Sequence, residues 1–369
     1  MAAVATKPST SRIDAVDALR GFVLFWLIGG HAIFVNLAKA MGDAFPRWLY
    51  LQLEHVPWVG FTFWDLIQPL FLFIVGIVMP FSFSKRLGAG ERKLSLYLHM
   101  LKRVAILWTL GMAIGGNLLT YDLSQLHLYS NTLQRIAAGY LISTIIILNL
   151  NVLGQIVATL GLLTAYWLVV MFVPVSGHGA GVFHPTVNIC YQLDQVILGR
   201  FWAGTTWTYV VPTLTSAANV MLGVLAGELL RLDTTPHRRL GWLFGWGIIL
   251  LLAGLLCSHW MPIIKRMYTT SYTLYAGGWC FLVTALFYLI IDILRVRKWS
   301  FMLVVIGANA IVAYVATQLF SFALVSRIFL HGLKDDTGRW YPFLESLGAF
   351  AVVWLILFWM YRKKTLVRI

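Results

Sequence analysis

Charge is what this chain lacks. Only 11% of its 369 residues are charged and only 14 are acidic, against about a quarter charged in an ordinary soluble domain. With 60% hydrophobic and 15% aromatic residues and a mean hydropathy of +0.80, that scarcity excludes a soluble globular domain and predicts an all-α polytopic membrane protein. Cysteine is scarce too. Cys190, Cys257 and Cys280 have no metal-type spacing and are too few for a disulfide framework, so they leave the redox compartment open. Solenoid-type repeats, low-complexity segments and any soluble stretch large enough for its own core are also missing. We therefore read residues 1–369 as one transmembrane domain, with 1–18 as an N-terminal segment and 362–369 as a tail.

What is present is a series of apolar runs near the roughly 20 residues that cross a bilayer. They predict ten helices, at about 19–38, 61–83, 100–117, 133–150, 153–173, 209–230, 241–258, 272–292, 301–322 and 346–362. Asn149-Leu150-Asn151 reads as a tight turn between two of them. Gly111-x-x-x-Gly115, Gly223-x-x-x-Gly227 and Gly241-x-x-x-Gly245 read as small-residue packing ridges. Loops on the side of the N-terminus carry nineteen Lys and Arg and the alternate loops eight, so the positive-inside rule puts both termini in the cytoplasm. The net charge of +14 is thus a topology signal. Nucleic-acid binding is a poor reading of basic residues scattered over short loops. The first apolar run exceeds a signal-peptide core and holds Gly29, Gly30 and His31, so it reads as a membrane helix despite Ala38-Lys39-Ala40. The alternate loops at about 174–208 and 323–345 are polar connections able to form a substrate rim.

Ionisable groups inside apolar runs are costly, about 2.5–3.5 kcal/mol on insertion scales, and mark candidate sites. His55 and Asp65 stand ten residues apart at the mouth of such a run. Imidazole is the side chain poised to move protons near neutral pH, and Asp65 is able to fix its tautomer or bind an ammonium group. The bland alternatives are a capping histidine and a carboxylate stabilised by the helix dipole. Asp17-Ala-Leu-Arg20 reads as a local ion pair or as part of a phosphate site. Arg135 lies where positive-inside logic gives no reason for a cation, so it binds substrate or pairs with a carboxylate.

Taken in order, several motifs resemble one family. They are Asp17-x-x-Arg20-Gly21, His55-x-x-Trp58-x-Gly60-x-Thr62-x-x-Asp65-Leu66, Thr132-Leu-Gln-Arg135, Asp194-Gln-Val-Ile-Leu-Gly199, Lys265 before Ser271-Tyr272, Gly307-Ala-Asn309-Ala and Tyr361-Arg-Lys363-Lys364. The chain resembles the heparan-α-glucosaminide N-acetyltransferase family and its bacterial NagX-type relatives, over nearly its whole length. The resemblance implies acetyl-CoA as cosubstrate, bound from the cytoplasm with no metal, and an amino-sugar acceptor across the bilayer. It gives His55 the active-site role. His31 stands where the lysosomal enzyme has Asn, and it completes Arg20-x10-His31, similar to a signature of the wider membrane acyltransferase group. About three turns beyond Arg20, His31 is a second candidate for base or carbonyl donor.

Acetyl-CoA would need a tunnel between helices, with Arg20, Lys102, Arg103, Arg238, Arg239, Lys363 and Lys364 as the basic residues at its inner mouth. Arg135, Lys265, Asn309 and Asn219 are the candidates for substrate contact, although a buried amide often only joins helices. The alternatives are an O-acyltransferase of envelope glycans, which would favour His31, and an amino-sugar transporter. A transporter predicts paired interrupted helices in the two halves, and the sequence displays none. A plasma (inner) membrane location follows if the source is bacterial; a homodimer stays open.

Overall fold

Sixteen α-helices follow one another in the computed structural model, which describes residues 13–367. Lys7, Arg12 and the rest of segment 1–12 lie outside the described residues, as does Arg368 in the tail. In chain order the helices are α1 (Asp14–Phe25), α2 (His31–Met41), α3 (Arg47–Leu53), α4 (Phe63–Gly88), α5 (Lys93–Gly115), α6 (Thr132–Asn149), α7 (Val152–Phe172) and α8 (Ile189–Leu198). They continue with α9 (Thr213–Arg231), α10 (Pro236–Cys257), α11 (Thr270–Tyr288), α12 (Phe301–Ala308), α13 (Ala310–Leu319), α14 (Phe322–Leu330), α15 (Lys334–Thr337) and α16 (Tyr341–Arg362). Among the described residues nine helical segments are long and apolar enough to cross a membrane, and ten if the bent pair α12–α13 counts as one span. The protein is an integral, multi-pass, all-α membrane protein. The turn expected at Asn149–Asn151 is there, and the Asn151 side chain caps α7 by accepting from Gly154 N–H at 2.9 Å.

Several boundaries differ from the sequence expectation for local reasons. The helix expected from 209 begins at Thr213, because the N–H groups of Tyr209 and Val210 are taken by the Asp194 carboxylate. The stretch expected as a loop from 323 is largely helical, since the apolar FALVSRIFL of α14 precedes the polar residues that gave the segment its loop-like character. The span expected as one helix over 301–322 bends by 68° at Asn309. The first span is interrupted as well, by a wide turn at Trp26–Gly30 in which His31 N–H reaches back to Trp26 C=O. This turn breaks the regular phase between Arg20 and His31. The described residues therefore include interruptions at Trp26–Gly30 and Asn309 that the sequence did not display.

The contacts divide the chain into two compact units. The first includes residues 58–60 and 68–289. Its core is a backbone-to-backbone crossing of α4 and α9: a Cβ at Gly76 would collide with the Val220 carbonyl, and one at Gly223 or Gly227 with the carbonyls of Phe73 and Ile77. Asn219 Nδ2 donates to the Pro69 C=O in the same crossing, at 2.7 Å. The α10–α11 pair corrects one expected ridge. Gly241 and Gly245 face open space, and Gly247 and Gly254 make the close approach, against Leu282, Gly278 and Tyr275.

The second unit comprises residues 14–57, 61–67 and 290–369. Gly21 and Gly307 let α1 and α12 touch, with Leu303 and Asp17 as the facing backbones. Helix α2 joins α16 through Asn36 Nδ2, 2.6 Å from Ser346 Oγ. At the end where α1 begins, Arg297 pairs with Asp14 at 3.1 Å and Ala15 N–H donates to Asp292 at 3.0 Å.

Overpacking a close crossing costs about 1–3 kcal/mol or more, whereas a surface change stays within about 0.5. Thermal unfolding in detergent is expected to fall sharply for Gly223→Leu and to remain unchanged for Gly241→Leu.

Candidate active site

The first turn of α4 is organised by Thr62-Phe-Trp-Asp65. Asp65 N–H donates to the Thr62 carbonyl at 3.0 Å, and Thr62 N–H donates back to Asp65 Oδ2 at 3.2 Å. The carboxylate of the third helical residue reaching back to the N–H of the residue before the helix is one half of a capping box; in place of the other half, the Asp65 N–H meets the Thr62 main-chain carbonyl. The Thr62 hydroxyl lies 3.0 Å from Asp65 Oδ2 and 2.8 Å from the Glu54 carbonyl, so its single proton serves both acceptors. A carboxylate at a helix N-terminus also meets the positive end of the helix dipole. Oδ2 is thus committed to starting the helix.

Oδ1 has a different partner. It lies 2.7 Å from His55 Nδ1, with Asp65 fully buried and the His55 side chain 39% exposed. An ionised carboxylate only accepts hydrogen bonds, so Nδ1 carries the hydrogen and, in the neutral ring, Nε2 holds the lone pair. His31 takes the opposite tautomer. Its Nε2 lies 2.8 Å from the Leu53 carbonyl, which only accepts, leaving the lone pair on Nδ1. Trp64 links the two rings: His31 stacks on the indole with centroids 3.9 Å apart, and His55 tilts against it at 5.9 Å. The His31 hydrogen bond and that of Thr62 to Glu54 hold the two carbonyls just before His55. All of these residues belong to the second unit.

The first unit holds a second buried polar cluster around Arg135, which is 1% exposed on α6. Its guanidinium lies between the rings of Tyr209 and Tyr268, at 5.0 and 4.7 Å. Nη2 donates to the Thr208 carbonyl at 2.7 Å and Nη1 to Ser216 Oγ at 3.3 Å, while Nε has no partner among the described residues. The peptide that offers the Thr208 carbonyl also carries Tyr209 N–H, which donates to Asp194 Oδ2 at 2.7 Å. Val210 N–H supplies Oδ1 at 2.9 Å. One peptide group thus bridges a buried cation and a buried anion along its own dipole.

Burial pushes the Asp194 carboxyl up to about 6, opposed by the two N–H donors and by Arg135. Tyr129 and Tyr268 are raised by burial as well.

The remaining candidates separate by unit. In the second, Arg20 pairs with Asp17 at 3.3 Å, and the exposed Lys363 and Lys364 follow α16. Asn309 is fully buried and binds the main chain of residues 365 and 367. In the first, Asn219 shares Tyr268 with Arg135, its Nδ2 lying 3.4 Å from the phenol oxygen. Lys265 is buried, 5.6 Å from the Trp207 ring centroid. Arg103 lies over Tyr140 at 4.5 Å, Arg239 caps α9 through the Leu232 carbonyl, and Lys102 and Arg238 are exposed. Among the described residues, no group of three or more His, Cys, Asp or Glu is arranged to hold a metal ion. Sequence reasoning missed Trp64, Asp194 and Tyr268 as site residues; for Thr62, the Thr-x-x-Asp capping signature was available.

Fold and site together define a multi-pass membrane protein built around a buried carboxylate that holds a half-exposed imidazole. No protein-family model matches the chain. It is distantly similar to the heparan-alpha-glucosaminide N-acetyltransferase of Mus musculus, 22% identical over 417 aligned residues that cover 97% of this chain and 60% of that protein. The Homo sapiens protein of the same name is 22% identical over 412, covering 96% and 59%. The chain therefore spans about three fifths of the length of the curated relatives it matches.

The raised Asp194 carboxyl gives a pH signature. In the folded protein Asp194 keeps its proton at pH values where the unfolded chain has lost it, so its contribution is present below about pH 4 and is lost as the pH rises through about 6. The loss is on the order of 3 kcal/mol. Thermal unfolding in detergent is expected at lower temperature at pH 7 than at pH 5, with the difference reduced in Asp194→Asn.

Proposed function

We propose that this protein is a transmembrane N-acetyltransferase, moving acetyl from cytoplasmic acetyl-CoA to the amine of glucosamine or a glucosamine-terminated saccharide on the extracytoplasmic side. The observation that carries this reading is the 2.7 Å contact of His55 Nδ1 with a fully buried Asp65. The distant similarity to membrane N-acetyltransferases supports the reaction class. The basic end of the second unit, with Arg20, Arg297, Lys298, Lys363 and Lys364, suits an anionic nucleotide and faces the cytoplasm under the positive-inside rule.

The residues act as follows. Asp65 fixes the ring so that Nε2 is the basic nitrogen, and stabilises the imidazolium when it forms. His55 Nε2 takes a proton from the acceptor nitrogen as that nitrogen bonds to the thioester carbonyl carbon. The carbon–sulfur bond then breaks, and the imidazolium returns the proton to the departing thiolate, so charge and protons balance. His31, already donating to Leu53 and stacked on Trp64, positions the chain before His55. The O-acyltransferase reading favours His31 as base; its Nδ1 keeps a lone pair, but its Nε2 partner is a neutral carbonyl, which stabilises an imidazolium less than the Asp65 carboxylate does at His55. Transport has one feature in its favour, the interrupted helices at Trp26–Gly30 and Asn309. They fall in opposite halves of the sequence but pack into one compact unit, whereas a transporter built from repeats places one in each repeat.

Purified protein is expected to release CoA from acetyl-CoA with glucosamine and not with N-acetylglucosamine. Turnover with both would favour O-acylation, and turnover with neither would leave transport. His55→Ala is expected to abolish transfer and retain acetyl-CoA binding, and Asp65→Asn to lower kcat by about 10²–10⁴. Loss in His31→Ala with retention in His55→Ala would reverse the assignment.

A further inference from the structure

Helix α16 ends in a chain reversal. Lys364 N–H donates to the Tyr361 carbonyl at 3.1 Å and Thr365 N–H to the Met360 carbonyl at 3.0 Å, the paired bonds of a Schellman motif. The left-handed residue of that motif is usually glycine; here it is Lys364, at φ 55°, where a Cβ is strained. The reversal delivers the next residues to Asn309, the fully buried residue at the 68° bend between α12 and α13. Asn309 Nδ2 donates to the Thr365 carbonyl at 3.2 Å, and its Oδ1 accepts from Val367 N–H at 3.0 Å. A side-chain amide here pairs with the C=O of one residue and the N–H two residues on, as a neighbouring strand would.

Two features show what this arrangement reads. Both bonds go to main-chain amide groups, and Thr365, Leu366 and Val367 are all exposed, so recognition is of an extended amide-bearing chain and not of particular side chains. The segment also starts at the basic end of the unit, where Arg362, Lys363 and Lys364 follow one another and Phe301 touches Tyr361 with centroids 6.1 Å apart. Directly after these residues, Thr365 and Val367 meet Asn309 at the bend. A ligand with an anionic head and an extended arm carrying two amides matches that path.

We propose that Asn309 is the amide-reading residue of a binding site for the pantetheine arm of acyl-CoA, and that Thr365–Val367 occupies this site until the arm displaces it. The inference rests on the acetyltransferase reading and adds to it a built-in competitor for the cosubstrate. Asn309 then contacts the cosubstrate and not the sugar.

The test measures equilibrium binding of acetyl-CoA to the full chain and to a chain ending at Lys364, with Val367→Pro as a second variant that removes one N–H. The shortened chain loses both competing hydrogen bonds and is expected to bind about tenfold more tightly, and Val367→Pro, which loses one, about threefold. Asn309→Asp in the shortened chain is expected to cancel the gain. Hydrogen exchange at the Val367 amide of the unaltered chain needs no variant, and it is expected to speed up on saturation with acetyl-CoA. Equal affinities with continued protection of Val367 would overturn the inference and leave the acetyltransferase reading intact. Failure of every form to bind acetyl-CoA would overturn both.

Discussion

The contact on which the candidate chemistry depends is made by Asp65, whose two carboxylate oxygens have separate duties. Oδ2 closes the first turn of α4 with the Thr62 N–H and hydroxyl, and Oδ1 receives His55 Nδ1. A buried carboxylate is tolerable only when donors surround it. Here a backbone N–H, a hydroxyl, an imidazole N–H and the helix dipole meet that requirement together. The helix start therefore needs the charge, and the charge sets the tautomer of the imidazole. Two of the readings offered by the sequence, a capping carboxylate and a group that fixes the His55 tautomer, describe the two oxygens of one side chain.

The same physical constraint recurs at the other buried polar groups. Arg135 and Asp194 are joined through the Thr208–Tyr209 peptide, whose carbonyl faces the cation and whose N–H faces the anion. Tyr209 and Tyr268 add aromatic faces to the guanidinium, where desolvation strengthens a cation–π contact. Asn309, at the break between α12 and α13, satisfies with its amide the irregular main chain of residues 365 and 367. Irregular backbone in a membrane protein survives where protein groups satisfy it, and the Asn309 site follows that rule.

The spans were legible because an apolar run of bilayer length has few other meanings, and His55 and Asp65 because ionisable groups are rare in such runs. The interruptions were not. Neither Gly29–Gly30 nor Asn309 disturbs the hydropathy of its run, and each takes its conformation from particular partners, His31 N–H to Trp26 for one and residues 365 and 367 for the other. Gly241-x-x-x-Gly245 misled for a related reason. Spacing identifies a small-residue face but not whether a helix lies against it, and the face used by α10 holds Gly247 and Gly254. Trp64 was hidden among aromatic neighbours, and its stacking on His31 arises only after the wide turn has reset the phase of the first span.

The tautomers of the two histidines bear most directly on the central claim. Nitrogen-15 NMR of histidine-labelled protein in lipid nanodiscs, at a pH where the rings are neutral, is expected to show His55 protonated at Nδ1 with an unprotonated Nε2, and His31 protonated at Nε2. In Asp65→Asn the His55 signals should lose that preference. A His55 ring protonated at Nε2 in the unaltered protein, or one whose tautomer is indifferent to Asp65, would contradict the account.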